Sequence, residues 1–455
     1  MMSAMNLSRA LGHGALAAAW WGLYALLWRA GWAPWNLDLM FLALVPLLLL
    51  FRRRPLALLS ALGIITAAAS RSLANDQDMA LVNGLFLACV LAGGGRWIEE
   101  RAAALPPRAA GKLSLGRAAA TLAVFLFLAY HGARPTWYMV RPDLRRELLA
   151  EVSPKFPVTP PEKLSPLAAR LRGHVAALSA GMGERSIYFP KNQNLARDYV
   201  AKELAAAGYQ TRLQEYASAQ KTDFSRREPF YNVEAVLSAP GGKPEVWIVG
   251  AHYDSAPGTP GADDNASGVA VLLEAARLLK AKRPRREIRF VAFGTEEPPS
   301  FGSRDMGSWV YAKNLKDSKT PVHAMLCLEM LGFFNPKPET QLFPPFLHLL
   351  YPNRGDFIGL VGNLSSAGLA AGVRRVWRRE ASLPIESTIL PSAFSTLALS
   401  DQLNFWTLGY RAVMLSDTAF YRYPHYHQGT DAPEKLDYER MAAVTRGVVR
   451  ILADL

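Results

Sequence analysis

Residues 249–279 read VGAHYDSAPGTPGADDNASGVAVLLEAARLL. An apolar run stops at His252, a loop carrying Asp254, Asp263 and Asp264 follows, and a helical pattern then opens with Val271, Leu272, Ala275 and Leu279 on one face. Carboxylates set between a buried strand and a buried helix are costly unless they are paired or bound to a cation. A solvated Asp-rich turn is the bland reading of this stretch, and a metal site is the sharp one.

Working outward, strand and helix patterns alternate. NLARDYVAKELAAAG has helical spacing and ends at Gly208, while YQTRLQEY and YNVEAVLSA alternate as strands. EVWIVGAHYDS, EIRFVAFGTEE, HAMLCLEMLGFF, DFIGLVGN and YRAVMLSD are further apolar strand patterns. Such alternation predicts an α/β fold, a mixed and mostly parallel central sheet flanked by helices. Ligands bind such sheets beyond the carboxyl ends of the strands. His252, Asp264, Glu296, Glu297 and Glu329 all fall at or just after those ends.

Imidazole and carboxylate are ordinary zinc ligands. Asp254, two residues after His252, is placed to accept the other imidazole N–H and fix the ring. Clustered carboxylates raise one another's pKa, a conflict that two divalent cations sharing one bridging carboxylate would remove. Adjacent strand residues point to opposite faces, so Glu296 and Glu297 can serve one site only where a strand ends, and Pro298 follows them there. A second histidine is needed from elsewhere. YPHYHQGTD offers His425 and His427, between which spacing alone does not choose; His13, His131, His174, His323 and His348 read singly as surface or core residues.

GAHYDS, PGADDNASGVA, FVAFGTEE, LEMLGFF, SDQLNFW and YPHYHQGTD, in this order, resemble the motifs of the metallopeptidase family that contains the secreted bacterial di-zinc aminopeptidases, glutamate carboxypeptidase and glutaminyl cyclase. The resemblance covers roughly residues 167–455. It implies a zinc exopeptidase fold with two zinc ions held by His252, Asp264 as the bridge, Glu297, Glu329 and His427. Glu296 matches the general base, and Tyr426 a tyrosine that in some members hydrogen-bonds the scissile carbonyl. Glu329 stands where aspartate is common. In SDQ, Gln402 replaces a more usual histidine, and Asp401 is expected only to support the ligands from behind. The implied function is an aminopeptidase hydrolysing N-terminal residues from peptide substrates. A single-zinc glutaminyl cyclase and a catalytically inactive receptor-like protein are the alternatives. The ligand set is complete, which favours two metals and an active enzyme.

The rest of the chain has a different character. Half of the 455 residues are hydrophobic and the formal net charge is +13. Blocks at 15–28, 39–51, 56–69, 79–95 and 118–133 are apolar, with Trp28, Trp32 and Trp35 and several arginines at their flanks. Five such blocks in a row lack a polar face for water and predict an all-α, multi-spanning membrane region over 1–133, in contact with the lipid bilayer. The block 56–69 is short, about 21 Å at 1.5 Å per residue against an average hydrocarbon core of about 30 Å. With a cytoplasmic N-terminus, Arg9, Arg52, Arg53, Arg54, Arg96, Arg101, Arg108, Lys112 and Arg117 fall in inner loops, and only Arg29 and Arg71 in outer ones. That bias predicts a multi-pass protein of the cell membrane. A proline-rich linker, 134–166, in which DLRRELLAEV is a possible short helix, leads to a catalytic domain at 167–455 on the exoplasmic side. The basic loops also account for much of the positive charge. No nucleic-acid module or aromatic-interleaved basic stripe accompanies it, so nucleic acid is not expected as a partner. Cys89 and Cys327 do not suggest a disulfide.

Overall fold

The computed structural model describes residues 142–152, 160–217, 229–343, 349–380, 382–390 and 399–455. The five apolar blocks, their loop charges and parts of the linker lie outside these residues. Among the described residues no helix is long and apolar enough to cross a membrane. Asp143–Phe343 and His348–Leu455 form one compact unit.

Its helices are α1 (Pro142–Val152), α2 (Pro166–Ala176), α3 (Pro190–Ala206), α4 (Gly268–Leu279), α5 (Gly307–Asp317), α6 (Ala367–Glu380), α7 (Gln402–Thr407) and α8 (Tyr438–Asp454). Its strands are β1 (Thr211–Tyr216), β2 (Phe230–Leu237), β3 (Lys243–His252), β4 (Arg286–Phe293), β5 (Val322–Glu329), β6 (Asn335–Pro338), β7 (Arg354–Gly355), β8 (Ile358–Asn363), β9 (Ile385–Leu390) and β10 (Ala412–Ser416). Eight strands form one sheet in the order β1-β2-β4-β3-β5-β10-β8-β9, and β6 pairs with β7 separately. The central run β4-β3-β5-β10 is parallel, as is β8 with β9, whereas β1/β2, β2/β4 and β10/β8 are antiparallel. The sheet is thus mixed with a parallel centre.

The apolar runs of the central strands follow from burial on both faces. Trp247, Val249 and Ala251 of β3 join Phe290, Leu326, Leu328, Val413 and Leu415 in a core shared with α2, α3, α4, α6 and α8. The alternate residues Val246 and Ile248 join Val291, Phe293, Met325, Cys327 and Met414 under α5 and α7. Gly250 faces Phe293 so closely that a Cβ there would lie 2.4 Å from the ring. Helix α4 is buried on more than the face its spacing marks: Gly268 through Ala276 are all covered. Gly208, at φ +88°, ends α3 as expected.

Part of the stretch 134–166 is built into this unit. Leu149 of α1 is fully buried, and the Arg145 guanidinium lies 4.6 Å above the Phe420 ring. Ser165 caps α2 through Ala168 and bonds the Glu439 carboxylate through both its N–H (2.5 Å) and its hydroxyl (2.9 Å).

Candidate metal centre

The parallel centre of the sheet aligns the ends of its strands, and the polar motifs meet there. His252 is the last residue of β3 and Glu329 the last of β5, opposite Ser416 of β10. Glu296 and Glu297 lie just past β4, where the chain has left the ladder and the Pro298–Pro299 peptide bond is cis. Asp264 arrives on the turn Ala262–Ser267, which leads into α4 through a cis Asp264–Asn265 peptide.

The geometry centres on Asp264. Its Oδ1 lies 3.4 Å from His252 Nε2 and its Oδ2 3.1 Å from His427 Nε2. Glu329 Oε2 lies 3.3 Å from His252 Nε2, and Glu297 Oε2 3.3 Å from His427 Nε2. Two donor groups share Asp264, His252–Asp264–Glu329 and Asp264–Glu297–His427, and a third, His252–Glu296–Glu297, draws in Glu296; each could hold a metal ion. Glu296 stands beside both, with Oε2 3.9 Å from His252 Nε2. All these carboxylates are buried, and Glu297 Oε1 has no hydrogen-bond partner.

The electrostatics show what such a cluster demands. Burial, with the Asp264 charge next to it, pushes the Glu297 carboxyl up to about 7. Burial likewise raises Glu296 well above the usual carboxylate range despite the neighbouring His252. Burial disfavours the His252 imidazolium, but Glu329 and Glu296 more than offset it and hold its pKa high. Protons are drawn in to neutralise charge that divalent cations would neutralise better. The nitrogen and oxygen donors, the unpartnered Glu297 oxygen and the division of Asp264 between two histidines all fit zinc.

The supporting residues are in place. Asp254 Oδ1 lies 3.2 Å from His252 Nδ1, which turns Nε2 towards the cluster. The same carboxylate accepts the N–H groups of Glu296 and Glu297 at 3.0–3.1 Å, so one side chain fixes the ring and the end of β4 together. Asp401 is fully buried within the field of His252 and Glu329, and neither of its carboxylate oxygens has a hydrogen-bond partner among the described residues. Of the two late histidines, His427 reaches Asp264, at φ +54°, while His425 turns away to Thr430 at 2.9 Å. Tyr426 stacks on the His427 ring, centroids 3.8 Å apart.

Three residues given no role on sequence grounds complete the setting. Ser400 donates to Glu329 Oε2 at 2.6 Å. Asp431 accepts from the N–H groups of Asp263 (2.9 Å) and Asp264 (3.2 Å) and from the Tyr423 hydroxyl. Arg185 lies fully buried under the loop between His252 and Asp264. Ser400 and Asp431 sit inside SDQLNFW and YPHYHQGTD and could have been read from those motifs; nothing local marks Arg185.

The profile of peptidase family M28 matches residues 232–452. An uncharacterised protein of Escherichia coli (strain K12), YfbL, is 41% identical over 233 residues, 49% of this chain and 71% of that protein. Aminopeptidase YwaD of Bacillus subtilis (strain 168) is 45% identical over 89 residues, 20% of this chain and 19% of its own length. Among solved structures, BSAP, a zinc aminopeptidase from Bacillus subtilis, shares the fold with a TM-score of 0.50 at 16% identity, over 62% of this chain and 94% of that one. The chain belongs to peptidase family M28.

Proposed function

We propose that this chain is an aminopeptidase carrying two zinc ions, anchored in the cell membrane by residues 1–133, with its catalytic domain on the exoplasmic side. The observation that carries the metal count is the Asp264 carboxylate, one oxygen facing the His252 group and the other the His427 group. Relatives named as aminopeptidases, YwaD and leucine aminopeptidase 1 of Trichophyton equinum among them, support the substrate end.

Zinc, when bound, lowers the pKa of a water molecule towards neutrality and polarises a carbonyl oxygen. Glu296, outside the two groups that share Asp264, takes a proton from the attacking water and passes it to the leaving amine. Asp254 keeps the His252 ring turned to the cluster while this happens. Tyr426, beside His427, donates its hydroxyl to the scissile carbonyl oxygen as negative charge develops there.

Metal analysis of the purified full-length protein, with turnover of N-terminally free, N-terminally blocked and N-terminal glutaminyl peptides, tests this reading. Two zinc ions per chain and hydrolysis of free N-termini alone are expected, and Asp264→Ala should empty both pockets and abolish turnover. One zinc in an active protein that cyclises glutaminyl peptides would replace the proposal with a cyclase.

A further inference from the structure

Arg185 is 0% exposed, yet its guanidinium meets no carboxylate among the described residues. A buried charge ordinarily finds a counter-ion in contact, because desolvation is otherwise uncompensated. Here the guanidinium makes five hydrogen bonds to main-chain carbonyls: Nε to Tyr253 (2.8 Å), Nη1 to Leu178 (2.9 Å), Gly183 (3.2 Å) and Pro260 (2.5 Å), and Nη2 to Gly261 (3.0 Å). Three of these belong to the loop that begins beyond His252 and ends at Asp264.

The loop is shaped around this side chain. The main-chain N–H of Arg185 donates to Ser255 Oγ (2.9 Å), whose hydroxyl donates to the Thr259 carbonyl (3.1 Å). Gly261 holds φ +62°, and a Cβ there would lie 2.6 Å from Ser255 Cβ and 2.9 Å from Arg185 Nη2. From the other side, Asp431 receives the Asp263 and Asp264 N–H groups, and its own carbonyl receives that of Ala262 (3.3 Å). The loop has little freedom between these two grips. Burial lowers the guanidinium to about 10, which leaves it charged at neutrality, and its field reaches Asp254, Asp431, Asp264 and Glu297.

We infer that Arg185 is a positioning residue for the metal centre: by gathering the carbonyls of the 253–261 loop, it sets where Asp264 stands relative to His252. The inference rests on the two-pocket reading of the site. Arg185 precedes the residues matched by the family profile, which begin at 232, so that match assigns it nothing.

The test uses the full-length protein and compares wild type with Arg185→Lys, Arg185→Gln, Ser255→Ala and, as a control remote from the loop, Glu274→Gln. Zinc affinity by chelator competition, the visible spectrum of the cobalt-substituted protein, kcat, KM and Tm are measured for each. A lysine keeps the charge but cannot span five carbonyls. Arg185→Lys should therefore bind zinc about 10- to 100-fold more weakly, shift the cobalt bands and lower kcat more than KM. Ser255→Ala should move the same quantities less far. Glu274→Gln should lower Tm and leave zinc affinity alone. Arg185→Lys and Ser255→Ala with wild-type zinc affinity, cobalt spectrum and kcat would overturn the inference, even if Arg185→Gln failed to fold. So would zinc affinity that merely follows Tm across all four variants. Wild-type protein that binds no zinc would instead sink the metal reading itself, before any variant is compared.

Discussion

Glu296 and Glu297 are neighbours in sequence with different tasks, and isosteric changes should separate them. Glu296→Gln keeps the shape but takes no proton, so kcat should fall by at least about 10²-fold with zinc content unchanged. Glu297→Gln should weaken metal binding, because its Oε2 lies 3.3 Å from His427 Nε2. Stopped assays and zinc analysis on the two proteins check both, and near-normal turnover of Glu296→Gln would remove it from the base role. The two imidazoles are also unequally placed. The side chain of His252 is 1% exposed and that of His427 31%, so the cluster opens to solvent on the His427 side. The choice of His427 over His425 illustrates what sequence holds at this scale. Both lie in YPHYHQGTD, and the chain's path at φ +54° turns one inward while Thr430 engages the other.

At the scale of elements, strands covered on both faces were legible because they must be written in apolar residues almost without interruption. β3, β4, β5, β8 and β10 coincide with such runs, and β2 with the alternating pattern YNVEAVLSA. β9, IESTIL at the sheet edge, is half-covered and alternates weakly, and β6 and β7 lie inside a proline-rich insertion with no period of two. Arg185 was illegible for a related reason. Hydrogen bonds to main-chain carbonyls place no demand on the side chains that flank them, so they leave no pattern. Helix-to-helix contacts carry charge too. Glu274 of α4 receives His174 and Arg170 from α2 and Arg277 from its own helix. Burial would raise its carboxyl, but hydrogen bonds from His174 and Arg277, with the charge of Arg170, hold it at about 2 against an ordinary 4.5. A depressed carboxyl contributes stability that is complete above about 4.5 and is lost as pH falls towards 2. Urea midpoints measured across that interval should decline in wild type and decline less steeply in Glu274→Gln. Parallel curves would show that Glu274 carries no such linkage.

At the scale of the whole molecule, the proposal divides the chain between bilayer and water, with nine basic residues in loops assigned inside and two in those assigned outside. Protease added to intact spheroplasts should cut within 134–166 and release an active zinc-bound fragment. Full protection until the membrane is broken would put the catalytic domain in the cytoplasm. The order in which the site's parts occur along the chain has its own effect on biosynthesis. A nascent polypeptide that has not reached residue 427 already holds His252, Asp264 and Glu329, but it lacks the second imidazole, and it lacks the Asp431 side chain that grips the Asp264 turn. Chains emerge N-terminus first and fold as they are made. Chain growth therefore completes the second donor group only after the first, once His427 and Asp431 have both been made.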